Sequence, residues 1–374
     1  MQRIFSAFIV FFLCINASAA NELSDPNYQL YFDSHMFGYS ETAPIKQIVD
    51  DMKGPHFDGG DHSFTHNIWE AGVKLNGWKA AYIIRYDYAL DYNPDTAEII
   101  YGDKNDISLE KNRVYEVDLD LIHSRSTGYK FGYEWQVKPK FFIGVDLSYL
   151  ETNRFLKGDV SGQFSADDND YTGQIALDYV YTKDYLLDRE VNIPTGRGYS
   201  LDIDWGWQSE DELWKFSGKW TDLLSKITIK DAPFTTATAS TDRVSFDDDG
   251  RINVKPVLSG VEGYRKEVLR FPKQAKVSGF YQFQPDLNLG LALYRYGDLN
   301  FPSTNVEYRV SDTVQLNAGF DYKSDAMTLG CSSSSFNMSI TSDRLSLERA
   351  RTFGLDISTN VDLEVFVAAI FSIL

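Results

Sequence analysis

The chain has 374 residues, and its 54 Asp and Glu outnumber its 36 Lys and Arg, which gives a formal net charge of −18 at pH 7. Such an acidic balance disfavours nucleic acid and anionic surfaces as partners, because like charges repel. The chain is also rich in rings, with 23 Tyr, 25 Phe and 7 Trp. No nucleic-acid partner is therefore expected, and the fold has to place a large number of aromatic side chains.

Residues 1–19 have the pattern of a secretory signal peptide. A short basic start (MQR) precedes the apolar run Ile4–Ile15, and the small residues at 17–19 predict cleavage after that point. The apolar run is shorter than the roughly 20 residues that a membrane-spanning helix needs, and no later apolar run is longer. Cleavage removes Cys14 and leaves Cys331 as the single cysteine, so no internal disulfide is predicted.

The segment 20–64 shows no clear periodicity, and we predict an N-terminal extension or a plug there. The stretch 56–66, HFDGGDHSFTH, groups three histidines with two aspartates, a composition that a metal site can use. Its glycines instead favour a solvated loop in which these side chains are not brought together. No metal ion is therefore predicted.

From residue 65 onward, apolar and polar residues alternate with period two, which is typical of strands with one polar face. The pair Asn76-Gly77 is a strong hairpin signal. The longer predicted strands are Trp78–Tyr88, Val114–His123, Tyr129–Val137, Phe141–Tyr149, Tyr171–Tyr181, Tyr199–Trp207 and Trp214–Trp220. Shorter strands are predicted near 275–283, 287–296, 304–310, 314–322, 326–332, 336–342, 351–358 and 363–374. The polar stretches 89–111, 151–170, 182–197 and 231–263 are predicted to be loops.

The strand Tyr129–Val137, YKFGYEWQV, raises the question of what covers its almost wholly aromatic face. A sandwich core favours branched aliphatic side chains, whereas Tyr and Trp crowd toward the ends of these strands, as they do where lipid meets headgroups. The strands are also about 9 to 11 residues long, the length that a tilted membrane strand needs. Since backbone groups in lipid must all be paired, such strands have to close into a barrel.

With these strands and the signal peptide, residues 65–374 resemble bacterial outer-membrane β-barrel proteins of the porin-like type. The resemblance rests on pattern and on no sharp motif. It implies an all-β fold, a closed antiparallel transmembrane β-barrel of about 14–16 strands, in the cell outer membrane. It also implies contact with the lipid bilayer and outer-membrane lipids, and with the barrel-insertion machinery during assembly. No cofactor is implied.

The polar faces of the strands then point into the barrel. Three carboxylates in a row, such as Glu116, Asp118 and Asp120, are costly in a dry core unless they are paired, but they are tolerable in a wet lumen. We therefore predict a polar interior of mixed charge. The predicted lumen-lining residues are Lys79, Arg85, Asp87, Glu116, Asp118, Asp120, Lys130, Glu134, Asp146, Asp178, Asp202, Asp204, Lys215 and Lys219.

The sequence offers little for catalysis. His123 and Ser124 are neighbours, but adjacent residues on a strand point to opposite faces, so they do not form a base and nucleophile pair. The acidic segments 167–170 and 247–250 could bind Ca²⁺ through carboxylate oxygens, yet neither has the full spacing of a calcium loop. We predict no catalytic residues and no enzyme.

The leading hypothesis is a passive channel for small hydrophilic solutes, or a substrate-selective one, with a mild preference for cations. The alternative is a structural or partner barrel in surface-polymer export or secretion, without pore activity of its own. Lumen polarity, width and loop constriction would set what passes through a channel of this kind. A membrane-embedded enzyme and a soluble periplasmic β-protein are weaker alternatives.

Overall fold

The computed structural model describes residues 28–50, 52–57, 59–166, 171–184, 188–241, 244–246, 252–254 and 258–362. The predicted signal peptide, the predicted last strand at 363–374 and the acidic segments 167–170 and 247–250 lie outside these residues. The expectations for those segments remain predictions.

The described residues are built almost entirely of β-strands. The strands are β1 (Tyr28–Ser40), β2 (His62–Leu75), β3 (Trp78–Tyr92), β4 (Val114–Lys138), β5 (Phe141–Ala166), β6 (Tyr171–Tyr181), β7 (Gly196–Gln208), β8 (Trp214–Ser240), β9 (Val244–Phe246), β10 (Ile252–Val254), β11 (Leu258–Leu269), β12 (Gln274–Gln284), β13 (Leu287–Tyr296), β14 (Leu299–Arg309), β15 (Gln315–Asp321), β16 (Ala326–Ser332), β17 (Phe336–Ser342) and β18 (Thr352–Asp362). The helices are α1 (Ile45–Val49), α2 (Pro94–Lys104) and a 3-10 turn at Leu347–Arg349. None of the helices in the described part of the chain is long and apolar enough to cross a membrane.

The strands close into an antiparallel ring. Its order is β1-β2-β3-β4-β5-β7-β8, then β12 through β18 in sequence, and β18 pairs with β1 to complete it. The sheet has 16 strands, of which β6 and β11 lie outside the ring, so that 14 strands form the barrel. The predicted closed antiparallel transmembrane β-barrel is confirmed, at the lower end of the predicted strand number.

The start of the barrel corrects the predicted boundary at residue 65. Strand β1 takes residues 28–40 into the wall, with β18 on one side and β2 on the other. The segment 20–64 is therefore not, as a whole, an extension or plug. Its alternation is weak because Ser34, Gly38 and Ser40 interrupt the outward apolar face.

Three strands are far longer than predicted, with 25 residues in β4, 26 in β5 and 27 in β8. The first half of β5 pairs with β7 in the ring, whereas its second half pairs with β6 beyond it. Strand β8 does the same, with β7 and β12 first and then β6 and β11. Much of the predicted loops 151–170 and 231–263 is therefore strand. We call the parts of β4, β5 and β8 that continue past the ring, together with β6 and β11, the extended wall. Its sequence is polar because neither of its faces needs to meet lipid.

The outer face of the ring carries an apolar belt with aromatic edges. Tyr82, Tyr129, Tyr149 and Tyr199 are direct neighbours on β3, β4, β5 and β7 and form one edge. At the other edge, Phe141 lies beside Trp207, eight residues before Tyr149 on its strand. Eight residues span about 26 Å of strand, or about 20 Å of height at a tilt of about 40°, and the rings at both edges extend this toward the roughly 25 Å apolar band of outer-membrane barrels. The aromatic face quoted above therefore points at lipid.

The loops that contain α1 and α2, at the opposite end from the start of β1 and the end of β18, pack on the outside of the extended wall. Tyr92 of β3 points to the same face as Tyr82, and it is buried with Phe57, Ala97 and Tyr101 from the loops around α1 and α2. Helix α2 is capped by Asn93, whose side-chain oxygen accepts a hydrogen bond from the N–H of Thr96. These two loops thus brace the wall and do not fill the barrel.

Leu147→Arg tests which face meets lipid. Leu147 lies on the outer face of β5 between the aromatic edges and is 52% exposed, so an arginine there should lower the free energy of unfolding in lipid vesicles by about 2–4 kcal/mol. The control is Leu258→Arg on β11, outside the ring, which should change stability little. Urea unfolding, followed by gel mobility without boiling, measures both. Equal effects of the two substitutions would contradict the assignment.

Candidate functional site

The barrel interior holds a cavity of about 750 Å³. The wall formed by β14 to β18 contributes mainly Ser, Thr and Asn to it. Six carboxylates line the cavity against three ammonium groups: Asp33, Glu70, Asp202, Glu307, Asp321 and Asp356 against Lys130, Lys219 and Lys276. The space is therefore polar, with an excess of negative charge.

One side of the interior is filled by buried ion pairs around Lys130, which is 1% exposed. Its ammonium group contacts the carboxylate of Glu70 and lies 2.9 Å from Asp202 Oδ2. Lys79 Nζ lies 3.2 Å from Glu70 Oε2 and 2.9 Å from Asp146 Oδ2. Two lysines are thus held by three carboxylates from β2, β5 and β7, which pins these strands at a fixed spacing.

Glycines on the neighbouring strands make room for this network. A Cβ atom at Gly132 would lie 1.8 Å from Asp146 Oδ1, and one at Gly144 would lie 2.4 Å from Asp204 Oδ1. Any side chain at these positions would displace the carboxylate beside it. The glycines that alternate with charges in β4 and β5 are therefore part of the ion-pair arrangement.

A second buried group centres on Arg85, which is 2% exposed. Its Nε lies 2.5 Å from Asp87 Oδ2 and its Nη1 lies 2.6 Å from Asp222 Oδ1, while its guanidinium stacks 3.5 Å above the ring of Phe271. The backbone N–H of Asp222 donates to Asp202 Oδ1 at 3.0 Å. This hydrogen bond joins the two groups into one continuous network.

The network also bridges the barrel through His66. Its Nδ1 lies 2.7 Å from Asp87 Oδ1, and its Nε2 lies 2.9 Å from the side-chain nitrogen of Gln274 on β12. The side-chain oxygen of Gln274 accepts a hydrogen bond from the Tyr294 hydroxyl, so the side-chain nitrogen of Gln274 must donate to Nε2 of His66. His66 is therefore neutral, with its proton on Nδ1. Strands β2 and β3 thereby touch β12 and β13 across the lumen.

Six rings pack next to this bridge, at the end of the lumen nearest the loops that contain α1 and α2. Phe64 of β2 stacks on Tyr296 of β13 at 3.8 Å between centroids, and Tyr39 meets Phe301 edge-on at 4.9 Å. Phe37 and Tyr294 complete the group. Since β1 and β2 are separated from β13 and β14 by four strands, this aromatic cluster narrows the outer end of the lumen.

The inner face of the extended wall, past the loop end of the ring, carries a row of aspartates. Asp91, Asp120, Asp159 and Asp178 are direct neighbours on β3, β4, β5 and β6. Burial raises the pKa of Asp120, and the nearby carboxylates, Asp159 foremost, raise it further. Asp178 is held by Arg265 at 2.8 Å. The row gives the outer approach to the interior a negative charge.

The structure divides the predicted lumen-lining residues into three sets. The first set forms the ion-paired network: Lys79, Arg85, Asp87, Lys130, Asp146 and Asp202 point inward and are paired within it. Of these, Lys130 and Asp202 also border the cavity. Glu134, Asp204, Lys215 and Lys219 face the interior, and Lys219 borders the cavity. The third set lies on the inner face of the extended wall, past the loop end of the ring: Glu116, Asp118, Asp120 and Asp178.

Sequence reasoning missed Glu70, His66 and Asp222, and the pairing of His35 with Asp356. Strand β2 has an alternating pattern that could have revealed it, with His62, Phe64, His66, Ile68 and Glu70 on one face. The prediction of a solvated loop at 56–66 hid the first part of this pattern. No group of three or more possible metal ligands occurs in the residues that the structure covers. His123 contacts Tyr86 on the outer face while Ser124 is buried inside, so the two point apart.

No protein-family model matches the sequence, and no curated protein matches it significantly. A deltaS2S3 mutant of the TodX monoaromatic hydrocarbon channel is 11% identical over 94% of this chain and 94% of that one, with a TM-score of 0.50. This chain has that barrel fold. The toluene transporter TbuX of Ralstonia pickettii is 8% identical over 93% and 92%, with a TM-score of 0.46. A FadL homologue of Pseudomonas aeruginosa is 10% identical over 92% and 89%, with a TM-score of 0.32.

At these identities the likeness establishes the fold alone. The resemblance to outer-membrane β-barrel proteins that the sequence suggested is confirmed at this level. What this barrel carries has to be argued from its own interior.

Lys130→Met tests the buried network. The substitution leaves Glu70 and Asp202 without their shared cation, so it should cost about 3–5 kcal/mol of stability, measured by urea unfolding in lipid vesicles. Adding Asp202→Asn should recover part of that loss. Lys215→Met, at an interior position with no ion pair in the described residues, is the matched control and should cost about 0.5 kcal/mol or less. If the stability losses of Lys130→Met and Asp202→Asn simply add in the double variant, Lys130 and Asp202 are not coupled and the proposed network is wrong.

Proposed function

We propose that this protein is a passive, substrate-selective channel of the outer membrane for small solutes that carry polar groups. One observation carries the proposal: a ring with an apolar outer belt encloses a cavity of about 750 Å³, and most of the residues that line it are polar or charged. A barrel that only anchored itself in lipid would not need such a space. Lumen polarity, width and the aromatic cluster would decide which solutes pass.

The outer membrane is the proposed location because closed antiparallel barrels with aromatic girdles are the membrane fold found there. The start of β1, the end of β18 and the short turns, such as 76–77 and 139–140, lie at one end, which is the periplasmic end in barrels of this kind. The extended wall and the long loops then face outward. A signal peptide at residues 1–19 and the barrel-insertion machinery belong to the same proposal, since both deliver such chains to that membrane.

Charge supports a preference for cations among the solutes. The six carboxylates of the cavity exceed its three ammonium groups, and the aspartate row lies on the outer approach. A narrow space with low-dielectric walls strengthens such a field, because the walls focus it along the path. Neutral or cationic polar solutes are therefore favoured over anions.

Planar-bilayer recording in a KCl gradient tests this preference. The reversal potential should lie on the cation side, and Asp33→Asn with Glu307→Gln should move it toward zero by removing two cavity carboxylates. Asp103→Asn in α2, which lies outside the barrel, should leave it unchanged. A preference for anions in the unmodified protein would contradict the proposal.

A second candidate is a channel for apolar aromatic solutes. It is favoured by the six-ring cluster and by the fold shared with a protein described as a monoaromatic hydrocarbon channel. Liposome swelling with small sugars, compared with calorimetric titration of the protein and its Phe301→Ala variant with toluene, separates the two candidates. Swelling without toluene binding supports the polar path, and toluene binding that Phe301→Ala weakens, without swelling, supports the apolar one.

Phe301→Ala tests whether the aromatic cluster gates the lumen. Phe301 contacts Tyr39, Phe37 and Tyr294, so its loss should widen the outer end and raise single-channel conductance several-fold. Phe131→Ala is the control, since Phe131 is 60% exposed on the outer face. Gel mobility before and after boiling verifies that both variants fold. Unchanged conductance in folded Phe301→Ala would show that the narrow point lies elsewhere.

The same recordings also test the alternative, a structural or partner barrel without a pore of its own. The bridge between His66 and Gln274 and the buried network already fill part of the interior. If neither the unmodified protein nor Phe301→Ala conducts, the barrel is better explained as a scaffold in surface-polymer export or secretion. Co-purification after gentle solubilisation would then identify its partner.

A further inference from the structure

An unusual set of basic residues lies on the outer face of the barrel, at the tyrosine edge of the apolar belt and directly beyond it. Arg125 of β4 and Arg154 of β5 are direct cross-strand neighbours on this face. Arg197 of β7 and Lys226 of β8 continue the set, and Lys226 lies opposite Tyr199. We call Arg125, Arg154, Arg197 and Lys226 the outer basic row.

The charges of this row are not balanced by the protein. Arg197 pairs with Glu151 at 3.0 Å, but Arg125 and Arg154 are exposed and have no ion-pair partner among the residues that the structure covers. Like charges directly opposite each other destabilise a sheet. In a chain with a net charge of −18, four basic groups against one carboxylate mark a local anion-binding surface.

The height of the row indicates which anion meets it. The tyrosines at 129, 149 and 199 lie at the level where acyl chains give way to headgroups, and Arg125 lies four residues beyond Tyr129 toward the loop end. That places the guanidinium groups of Arg125 and its neighbour Arg154 roughly 10 Å beyond the tyrosines, if the strand tilt is allowed for. Phosphate groups of membrane lipids occupy this depth, and arginine binds phosphate through paired N–H donors.

We propose that the outer basic row binds the phosphate of a phosphorylated glycolipid in the leaflet at the loop end of the barrel. The proposal rests on the membrane placement argued above, and it adds a lipid site that the channel function does not require. Arg125 and Arg154 would share one phosphate, which removes their mutual repulsion. Arg197 and Lys226 would reach the same headgroup from the adjoining strands.

Native mass spectrometry of the detergent-solubilised protein, titrated with a bisphosphorylated glycolipid (lipid A), tests this site. Arg125→Gln and Arg154→Gln should each weaken binding about fivefold, and the double variant about 25-fold, which corresponds to roughly 1 kcal/mol per charge. Arg295→Gln is the matched control, because Arg295 also lies on an outer face near the same end but is paired with Asp298. It should bind lipid A as the unmodified protein does.

Two further titrations define the ligand. Dephosphorylated lipid A should bind no better than it does to the double variant, and inorganic phosphate should not displace lipid A at matched concentration. Equal binding by the double variant, equal binding of the dephosphorylated lipid, or full displacement by phosphate would each overturn the proposal. Because no current is measured, failure of the lipid site leaves the channel proposal untouched, and a barrel that binds lipid A without conducting rejects the channel alone.

Discussion

The pairing of every backbone N–H and C=O group is the constraint on which this structure depends. Lipid offers no hydrogen bonds, so a strand that crosses it must have a neighbour on both sides. The antiparallel register of β1 with β18, from Gln29–Asp362 to Tyr39–Thr352, provides the last pairing and removes the final edge. Once the ring is closed, each residue points either outward to lipid or inward, and the composition of the two faces follows from that choice.

The interior shows how a closed ring of this width deals with inward charges. Arg85 and Lys130 are buried and Lys79 is half-buried, and each of them contacts two carboxylates from other positions of the wall. Burial of a charge is tolerated when it is paired and hydrogen-bonded in this way. Glycines opposite these groups provide the volume. As a result the interior is a cavity and not an open pore, because the network and the His66 bridge fill part of it.

The asymmetry of the wall connects the fold to its proposed role. Strands β15 to β17 have 7 residues each, whereas β4, β5 and β8 have 25 or more. The tall side carries the aspartate row on its inner face and the braced loops on its outer face. The low side, β15 to β17, lines the polar cavity. A solute that approaches from outside therefore meets acidic groups before it meets the aromatic cluster.

Sequence reasoning worked where one face of a strand had to meet lipid. The strands at 287–296, 326–332 and 336–342 were predicted with their observed bounds, because apolar side chains alternate there without interruption. The predicted end of a strand at residue 358 is wrong, since β18 runs on to Asp362: Ser358 and Asn360 face inward, and only Thr359 interrupts the apolar outer face there. Much of the extended wall was missed because neither of its faces meets lipid.

The sequence by itself determined the class of fold and the direction in which most side chains point, because the two-residue period of a strand is a local property. It could not assign partners to the inward charges, since Lys130 meets residues 60 and 72 positions away along the chain. Nor could it place the six rings in one cluster, which join strands from opposite arcs of the barrel. Those contacts exist only after the ring closes, and ring closure fixes the register on which all of them depend.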